Sequence, residues 1–256
     1  MAKSEVNRFD RWLLRTKRRE TGPARLAYAA YQRLMGWDIP DNEAIRILYG
    51  SLYVADYVIV DTAEWALSKF LFSPMLRARC DSVGRGLNLT IAPYIRGNVK
   101  IRIGNNCTFS SFDVRTGKFP EDPELTFGDD CWVGAKVLIA LTRSIHIGNH
   151  VLIAGRTDIQ DADGHPSESE RRERGEQMAE EDSKPVTIHD YAWIGRDVHV
   201  LKGVTIGRGA VIAAGSVVAS DVPDNALAMG VPARVVKVSP SIVPPSHPPH
   251  SRPYTR

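Results

Sequence analysis

The chain has 256 residues and a net charge of +3, and 43% of its residues are hydrophobic and 25% charged, as in an ordinary globular protein of one or two domains. Its three cysteines, Cys80, Cys107 and Cys131, are odd in number and widely spaced. This pattern excludes a disulfide framework and a zinc signature and favours a reducing compartment.

The N-terminal region, residues 1–80, predicts two or three amphipathic helices over 11–35 and 42–71. Residues 1–40 hold nine basic and four acidic residues, a net charge of +5, so this segment could contact an anionic membrane surface; the alternative is a solvated helix face. The apolar window 45–72 contains five charged residues and cannot cross a bilayer as one helix without burying charge. We expect these helices to form a cap. Since no signal peptide is visible, we expect a cytoplasmic protein that is at most peripheral to the inner face of a membrane.

A repeat of six residues dominates the C-terminal part of the chain. An aliphatic residue opens each six: Ile188, Ile194, Val200, Ile206, Ile212 and Val218. A period of six fits neither a helix nor a simple hairpin, but six residues on each of three sides give a triangular parallel β-helix. The fold class is therefore all-β, a parallel β-helix over residues 81–238, in which we expect Ile188 to stack on Ile206.

The same period continues upstream from Ile103, with two breaks. Ile139 and Ile147 are eight residues apart, which predicts a small bulge. The second break, between Ile159 and Ile188, predicts a loop that leaves the prism from about residue 161 to 184. Long excursions from a repeat scaffold often carry binding and catalysis. The tail, residues 239–256, holds six prolines and is expected to be extended or disordered.

A series of motifs resembles the hexapeptide-repeat acetyltransferases, the maltose and galactoside O-acetyltransferase group and especially its relatives in surface-polysaccharide synthesis. The motifs are Asp-Ala-Asp-Gly-His-Pro at 161–166, Trp-Ile-Gly at 193–195, Gly-Val-Thr-Ile-Gly at 203–207, Ala-Gly-Ser-Val-Val at 214–218 and Gly-Val-Pro-Ala-Arg-Val-Val-Lys at 230–237. The resemblance implies a left-handed β-helix and a homotrimer with active sites between neighbouring prisms. It also implies acetyl-CoA as co-substrate and a sugar hydroxyl as acceptor.

The resemblance assigns roles to single residues. His165 matches the general base, and Trp193 matches the aromatic position beside the cofactor groove. Ala214 matches a residue whose backbone contacts the pantetheine, and two basic positions that meet the CoA phosphates are matched by Arg234 and Lys237. The family commonly has Lys where Ser220 stands, so this phosphate contact is either missing or supplied by Arg196 or Lys202.

The chemistry of acyl transfer supports the same base independently of the resemblance. A base must take the hydroxyl proton and return it to the leaving thiolate, and an imidazole suits both steps. Asp161, Asp163 and Glu176 are close enough in sequence to orient the ring or hold the sugar; both aspartates could instead bond their own backbone in a turn. The acceptor-side Asn of the sugar enzymes has no clear match, and its register falls at Ser110, with Asp113 nearby.

The sequence leaves three other functions open. The first is an amino-sugar N-acetyltransferase, and the second is a non-catalytic trimer on the same scaffold. The third resembles the zinc-dependent γ-type carbonic anhydrases, which use three histidines; here His146 and His150 are four apart and no third ligand is compelling. We expect no metal, no nucleic-acid partner, and core packing for Cys107 and Cys131.

Overall fold

The computed structural model describes residues 22–36, 38, 42–116, 122–176 and 182–238. Most of the basic segment and the whole proline-rich tail predicted above lie outside the described residues. The chain divides into two units, Met1–Val58 and Ile59–Arg256.

The described helical part comprises first the helices α1 (Gly22–Met35) and α2 (Glu43–Leu67). A π-helical turn (Ser68–Phe72) and helix α3 (Ser73–Arg79) follow. None of the α2 side chains is buried. Within the described ranges, no helix combines the length and the apolar character needed to cross a membrane.

The π-helical turn and α3 lie against the start of the β-helix. Leu76 is buried in its core, and the Ser68 hydroxyl accepts a hydrogen bond from the backbone N–H of Leu89 at 2.9 Å. The guanidinium of Arg77 donates to the carbonyls of Val83 at 2.8 Å and Gly84 at 2.6 Å. These contacts cover the first coil, whose backbone groups would otherwise lack partners at this end.

Three sheets form the sides of the prism. Sheet A consists of β1 (Ser82–Val83), β4 (Lys100–Ile103), β7 (Glu124–Phe127), β10 (Ser144–Ile147), β13 (Val186–Ile188) and β16 (Thr205–Ile206). Sheet B consists of β2 (Asn88–Leu89), β5 (Thr108–Phe109), β8 (Trp132–Val133), β11 (Leu152–Ile153), β14 (Trp193–Ile194), β17 (Val211–Ile212), β19 (Ala226–Gly230) and β20 (Ala233–Val238). Sheet C consists of β3 (Tyr94–Arg96), β6 (Phe112–Thr116), β9 (Val137–Leu141), β12 (Asp158–Gln160), β15 (His199–Val200) and β18 (Val217–Val218).

The register confirms the predicted parallel β-helix. Ile188 pairs in parallel with Ile206, as the period of six requires, and both are buried. Among the strands of the described residues, all pairings are parallel except that of β19 with β20. Each fully buried Ile side chain contributes about 1.5–3 kcal/mol, so the inward columns dominate the stability of the prism. A first coil, opened by Val83, Leu89 and Ile95, precedes the repeat identified from the sequence.

A polar ladder runs along the corner between sheets A and B. The backbone N–H of Asn105 donates to the Asp129 carboxylate at 2.6 Å, and that of Asp129 donates to the Asn149 side chain at 2.8 Å. The Asn149 N–H continues the ladder to Asp190 at 2.7 Å. This ladder explains why an Asn or Asp so often follows the second residue of a repeat unit.

The corner where the chain passes from sheet C to sheet A, called the C–A corner below, collects the departures from the repeat. The predicted bulge lies here, at Thr142 and Arg143, between β9 and β10. The predicted excursion lies here too, between β12 and β13, one coil further along. The other two corners stay short through the same coils, so the irregular segments are stacked along one edge of the prism.

Candidate functional site

The excursion comprises residues 161–185, and its two ends meet at the C–A corner. The backbone N–H of Lys184 donates to the carbonyl of Asp161 at 2.8 Å, and that of Gly203, in the next coil, donates to Lys184 at 3.0 Å. A short helix, α4 (Ser169–Glu173), lies within it, and residues 177–181 are not among those described. The backbone thus closes the excursion at its base as a loop on the prism.

His165 is exposed to solvent near the start of the excursion. Gly164 before it has φ +83°, a conformation that glycine adopts at low cost. Pro166 after it is buried, and a proline restricts the residue that precedes it to extended conformations. The backbone on both sides therefore constrains His165, while its ring stays accessible.

Asp161 is fully buried, and its carboxylate serves the fold of the corner. Its two oxygens accept the backbone N–H groups of Thr142 at 2.7 Å and Arg143 at 2.6 Å. Burial raises the pKa of this carboxyl above its ordinary value, and the backbone N–H groups oppose that rise. Asp161 holds the bulge of the preceding coil, and it does not face solvent as a group contacting an acceptor would.

Asp163, in contrast, is exposed and forms an ion pair with Lys202. The Lys202 ammonium lies 2.6 Å from the Asp163 carboxylate and donates to the carbonyl of Asp182 at 3.1 Å. The side chain of Lys202 is 26% exposed and that of Asp163 is 47% exposed. The ammonium that the sequence offers as a phosphate contact is thus already paired inside the excursion, which leaves Arg196 as the candidate for that contact.

Arg171 on α4 is the centre of a charge network. Its guanidinium makes two hydrogen bonds of 2.8 Å to the carboxylate of Asp182 and lies 3.1 Å from Glu168 and from Glu176. Glu176 also accepts a 2.7 Å hydrogen bond from Arg174, and these two guanidinium groups lower the pKa of Glu176. Glu176 is thereby tied to the arginines of the excursion, not to His165.

The neighbouring Arg172 holds the turn that follows His165. Its guanidinium donates to the carbonyl of Pro166 at 2.8 Å and also to the carbonyl of Ser167. Arg172, Arg171 and Asp182 were not among the sequence-based candidates. The signal for the two arginines is the dense run of mixed charges at 168–176, which indicates a loop organised by ion pairs; Asp182 lies outside this run.

The two remaining acceptor-side candidates lie away from His165 within one prism. Ser110 lies at the corner between sheets B and C, where its backbone N–H donates to Val133 at 2.8 Å. Asp113 lies on β6 of sheet C, half-exposed, with its carboxylate 3.7 Å from Arg115. The structure therefore does not bring either of them to the base of the excursion.

Three of the candidate cofactor residues share one side of the prism. Trp193 projects from sheet B with 53% of its surface exposed, in register with Leu152 and Val211. Arg196 and Ala214 are exposed at the adjoining corner, in successive coils. The coils approach closely there: a Cβ on Gly195 would lie 2.6 Å from the backbone nitrogen of Ala214.

The other three candidates lie elsewhere on the surface. Ser220 is exposed at the C–A corner after β18. Arg234 and Lys237 are exposed on β20, the antiparallel strand at the edge of sheet B, opposite Met229 and Leu227. All the cofactor candidates except Ser220 thus lie on or beside sheet B, and in a triangular prism the C–A corner with His165 is opposite that sheet.

The cysteines are packed as small core residues. Cys107 and Cys131 are buried, and each thiol lies near a backbone carbonyl, that of Gly128 at 3.2 Å and that of Gly148 at 3.0 Å. Burial raises the pKa of Cys80 to about 12. In the described ranges, no three His, Cys, Asp or Glu side chains converge as metal ligands would, and the His146 ring is hydrogen-bonded to Thr126 at 3.0 Å.

Comparison with known proteins adds family evidence to this geometry. Residues 185–220 match the family described as bacterial transferase hexapeptide (six repeats). The chain is 36% identical to the galactoside O-acetyltransferase of Escherichia coli over 132 residues, which cover 44% of this chain and 63% of that enzyme. It is 34% identical over 148 residues to WbbJ of Escherichia coli, a putative lipopolysaccharide biosynthesis O-acetyl transferase; the match covers 56% of this chain and 74% of WbbJ.

Among solved structures, the N-acyltransferase AntD of Bacillus cereus, in complex with dTDP and 3-hydroxybutyryl-CoA, shares the fold. Its TM-score is 0.52 at 19% identity, over 67% of this chain and 89% of AntD. The chain spans between 50% and 63% of the length of three of the curated acetyltransferases that it matches. The match to WbbJ is more extensive, and with it the repeat register shows that the chain belongs to the hexapeptide-repeat transferase family.

Proposed function

We propose that the protein is an acetyl-CoA-dependent O-acetyltransferase that acts on a hydroxyl of a saccharide, in the synthesis of cell-surface polysaccharide or a lipid-linked glycan. The observation that carries the proposal is His165, which is exposed on a loop closed by backbone bonds and charged contacts in a prism of the transferase family. The names of the relatives, a galactoside and a lipopolysaccharide O-acetyltransferase, support a saccharide hydroxyl as the acceptor.

In this proposal His165 is the general base. One ring nitrogen takes the proton of the acceptor hydroxyl while its oxygen attacks the thioester carbonyl carbon of acetyl-CoA. The new C–O bond forms, the C–S bond breaks, and the imidazolium returns the proton to the CoA thiolate. Such a base contributes about 10²–10⁴-fold in rate, and the exposed ring in a constrained backbone suits the task.

The cofactor would lie along sheet B. The exposed indole of Trp193 offers an apolar surface to the pantetheine arm, and Ala214 offers backbone polar groups at the adjoining corner. Arg196, Arg234 and Lys237 carry the positive charge that the CoA phosphates need. Ser220 carries no charge and lies at another corner, so we give it at most a hydrogen bond.

We further propose a homotrimer with sites between neighbouring prisms. The support is the position of the candidates: His165 lies at the C–A corner, and the cofactor residues lie on or beside sheet B, opposite that corner. A second copy would supply the missing side of each site, and Ser110 or Asp113 of that copy would reach the acceptor. A contact of the basic segment 1–40 with a membrane stays a prediction.

The experiment is an acceptor panel with radiolabelled acetyl-CoA. The panel holds galactosides, other neutral glycosides, amino sugars and polysaccharide fragments, and the product is tested for loss of label in mild alkali, which cleaves O-acetyl esters but not N-acetyl amides. We expect alkali-labile label on a neutral saccharide. Alkali-stable label would establish the amino-sugar alternative, and stoichiometric zinc together with bicarbonate formation would establish the hydratase alternative.

A further inference from the structure

Lys202 joins the two ends of the excursion at a point next to the proposed base. Its ammonium pairs with Asp163, two residues before His165, at 2.6 Å, and binds the carbonyl of Asp182, near the other end of the loop, at 3.1 Å. Lys202 belongs to the turn that follows β15, in the next coil of the regular prism. One side chain of the scaffold therefore fixes both ends of the irregular segment.

From Asp182, further contacts lead to Pro166, the residue that follows His165 in the chain. The carboxylate of Asp182, only 11% exposed, binds both terminal nitrogens of Arg171, which is 17% exposed. Arg172, the next residue on α4, donates to the carbonyl of Pro166, immediately after His165. The chain of contacts thus runs from Asp163 through Lys202, Asp182 and α4 back to Pro166, with His165 between its two ends.

Among the residues that the structure describes, few other contacts restrain the imidazole. The ring is exposed, and Gly164 has open space around its Cα, where an added Cβ would meet no atom within 4 Å. Orientation of the ring must therefore come from the backbone on its two sides. A displacement of about 1 Å at a reacting group can cost about 10²-fold in rate, so the anchors matter to catalysis more than to folding.

We propose that Lys202 is a positioning residue for the base: by holding Asp163 and the Asp182 carbonyl together, it sets the place of His165 above the C–A corner. The inference rests on the proposed role of His165. It differs from a plain stabilising ion pair because the pair is partly exposed, where such pairs contribute little to stability. It also differs from phosphate binding, because the ammonium is already paired with Asp163.

The first test does not depend on turnover. In protein labelled with 13C at the histidine ε1 carbon, the signal of His165 is assigned as the one that His165→Ala removes. Lys202→Gln should shift or broaden this signal, whereas Lys100→Gln, a loss of charge at an exposed lysine of β4, should leave it in place. An unchanged signal in Lys202→Gln overturns the inference, whatever the activity.

The second test is kinetic and uses the best acceptor of the panel. We expect Lys202→Gln to lower kcat about ten-fold, a loss similar to that seen when a residue that orients a metal ligand is removed. The KM for acetyl-CoA and the Tm should stay close to those of Lys100→Gln. Lys202→Arg should recover most of kcat, and Asp163→Asn added to Lys202→Gln should cost little more, because both substitutions break one contact.

The outcomes separate the two proposals. Full activity in His165→Ala overturns the base assignment, and the NMR comparison then still tests the anchoring by itself. An inactive His165→Ala beside a Lys202→Gln variant with unchanged kcat overturns only the positioning role. A lowered Tm with unchanged kcat in Lys202→Gln would assign Lys202 to stability and likewise contradict the inference.

Discussion

The regular coils over residues 186–218 and the excursion over 161–185 are held together by different forces. In the regular coils the position of a residue within the repeat of six determines its burial and its pairing. Ile188 and Ile206 point inward, are buried and pair in register. In the excursion the decisive contacts join charged groups with no common spacing, such as Lys202 with Asp163 and Arg171 with Asp182. The stability of the first region therefore depends on the packing of apolar side chains, and that of the second depends on ion pairs between correctly oriented charged groups.

The largest effect on stability should follow a change in the regular coils. Ile188→Ala removes a buried side chain from the sheet A column and should lower the free energy of unfolding by about 2–5 kcal/mol. Thr187→Ala, its outward-facing neighbour, should change it by less than about 0.5 kcal/mol. Urea unfolding of the two variants measures the contrast, and equal losses would contradict the division into inward and outward positions.

Two glycines sharpen the same comparison. A Cβ at Gly195 would lie 2.6 Å from one backbone atom and 2.7 Å from another, so Gly195→Ala should cost about 1–3 kcal/mol of stability. In Gly164→Ala the new Cβ has open space around it, but the alanine would have to adopt φ +83°, which L-residues disfavour. We therefore expect this substitution to change the conformation of the turn before His165. We expect the first variant to lose Tm and the second to lose mainly kcat; the reverse pattern would show that the corner of the prism tolerates crowding.

Asp161 joins the start of the excursion to the bulge of the preceding coil, and its loss should have an intermediate effect. In Asp161→Asn the side-chain NH2 would replace one of the two oxygens that accept backbone N–H groups. One backbone N–H would then have no acceptor, at a cost of about 1–3 kcal/mol of stability. Asp190→Asn is the matched control, because Asn already serves at the equivalent ladder position 149. Thermal unfolding distinguishes them, and equal midpoints would mean that the bulge does not depend on the Asp161 carboxylate.

The smallest effect is expected at an exposed ion pair of the regular coils. Arg156 donates to Asp197 of the next coil at 2.6 Å, but both side chains are largely exposed, so water and salt screen their attraction. Arg156→Gln should leave the urea midpoint unchanged within error. A clear loss of stability there would indicate that charged contacts hold the regular coils as well.

The sequence was sufficient for the scaffold because the period is a local property. The stacking of Ile188 on Ile206, the bulge after Ile139 and the excursion after Ile159 all follow from counting residues, and the structure confirms them. The sequence placed the start of the β-helix at residue 81 but traced the period only from Ile103, although Val83, Leu89 and Ile95 keep the same spacing of six.

The contacts of the site could not be read from the sequence in the same way. Asp161 binds backbone groups 18 and 19 residues upstream, which no local pattern reveals, and so it looked like a partner of His165. Lys202 looked like a phosphate ligand because only its charge was visible, while its pairing with Asp163 depends on how the excursion returns to the prism. His165 could be proposed as the base from the sequence because the Gly-His-Pro motif is contiguous.

The most direct measurement compares two histidines, one in the excursion and one in the regular coils. Turnover of labelled acetyl-CoA with the best saccharide acceptor should fall by about 10²–10⁴-fold in His165→Ala, because the base is lost. His146→Ala, which removes a ring hydrogen-bonded to Thr126 on sheet A, should keep turnover within about two-fold of the wild type. Full turnover in His165→Ala, with both variants folded, would contradict the claim that the excursion carries the chemistry.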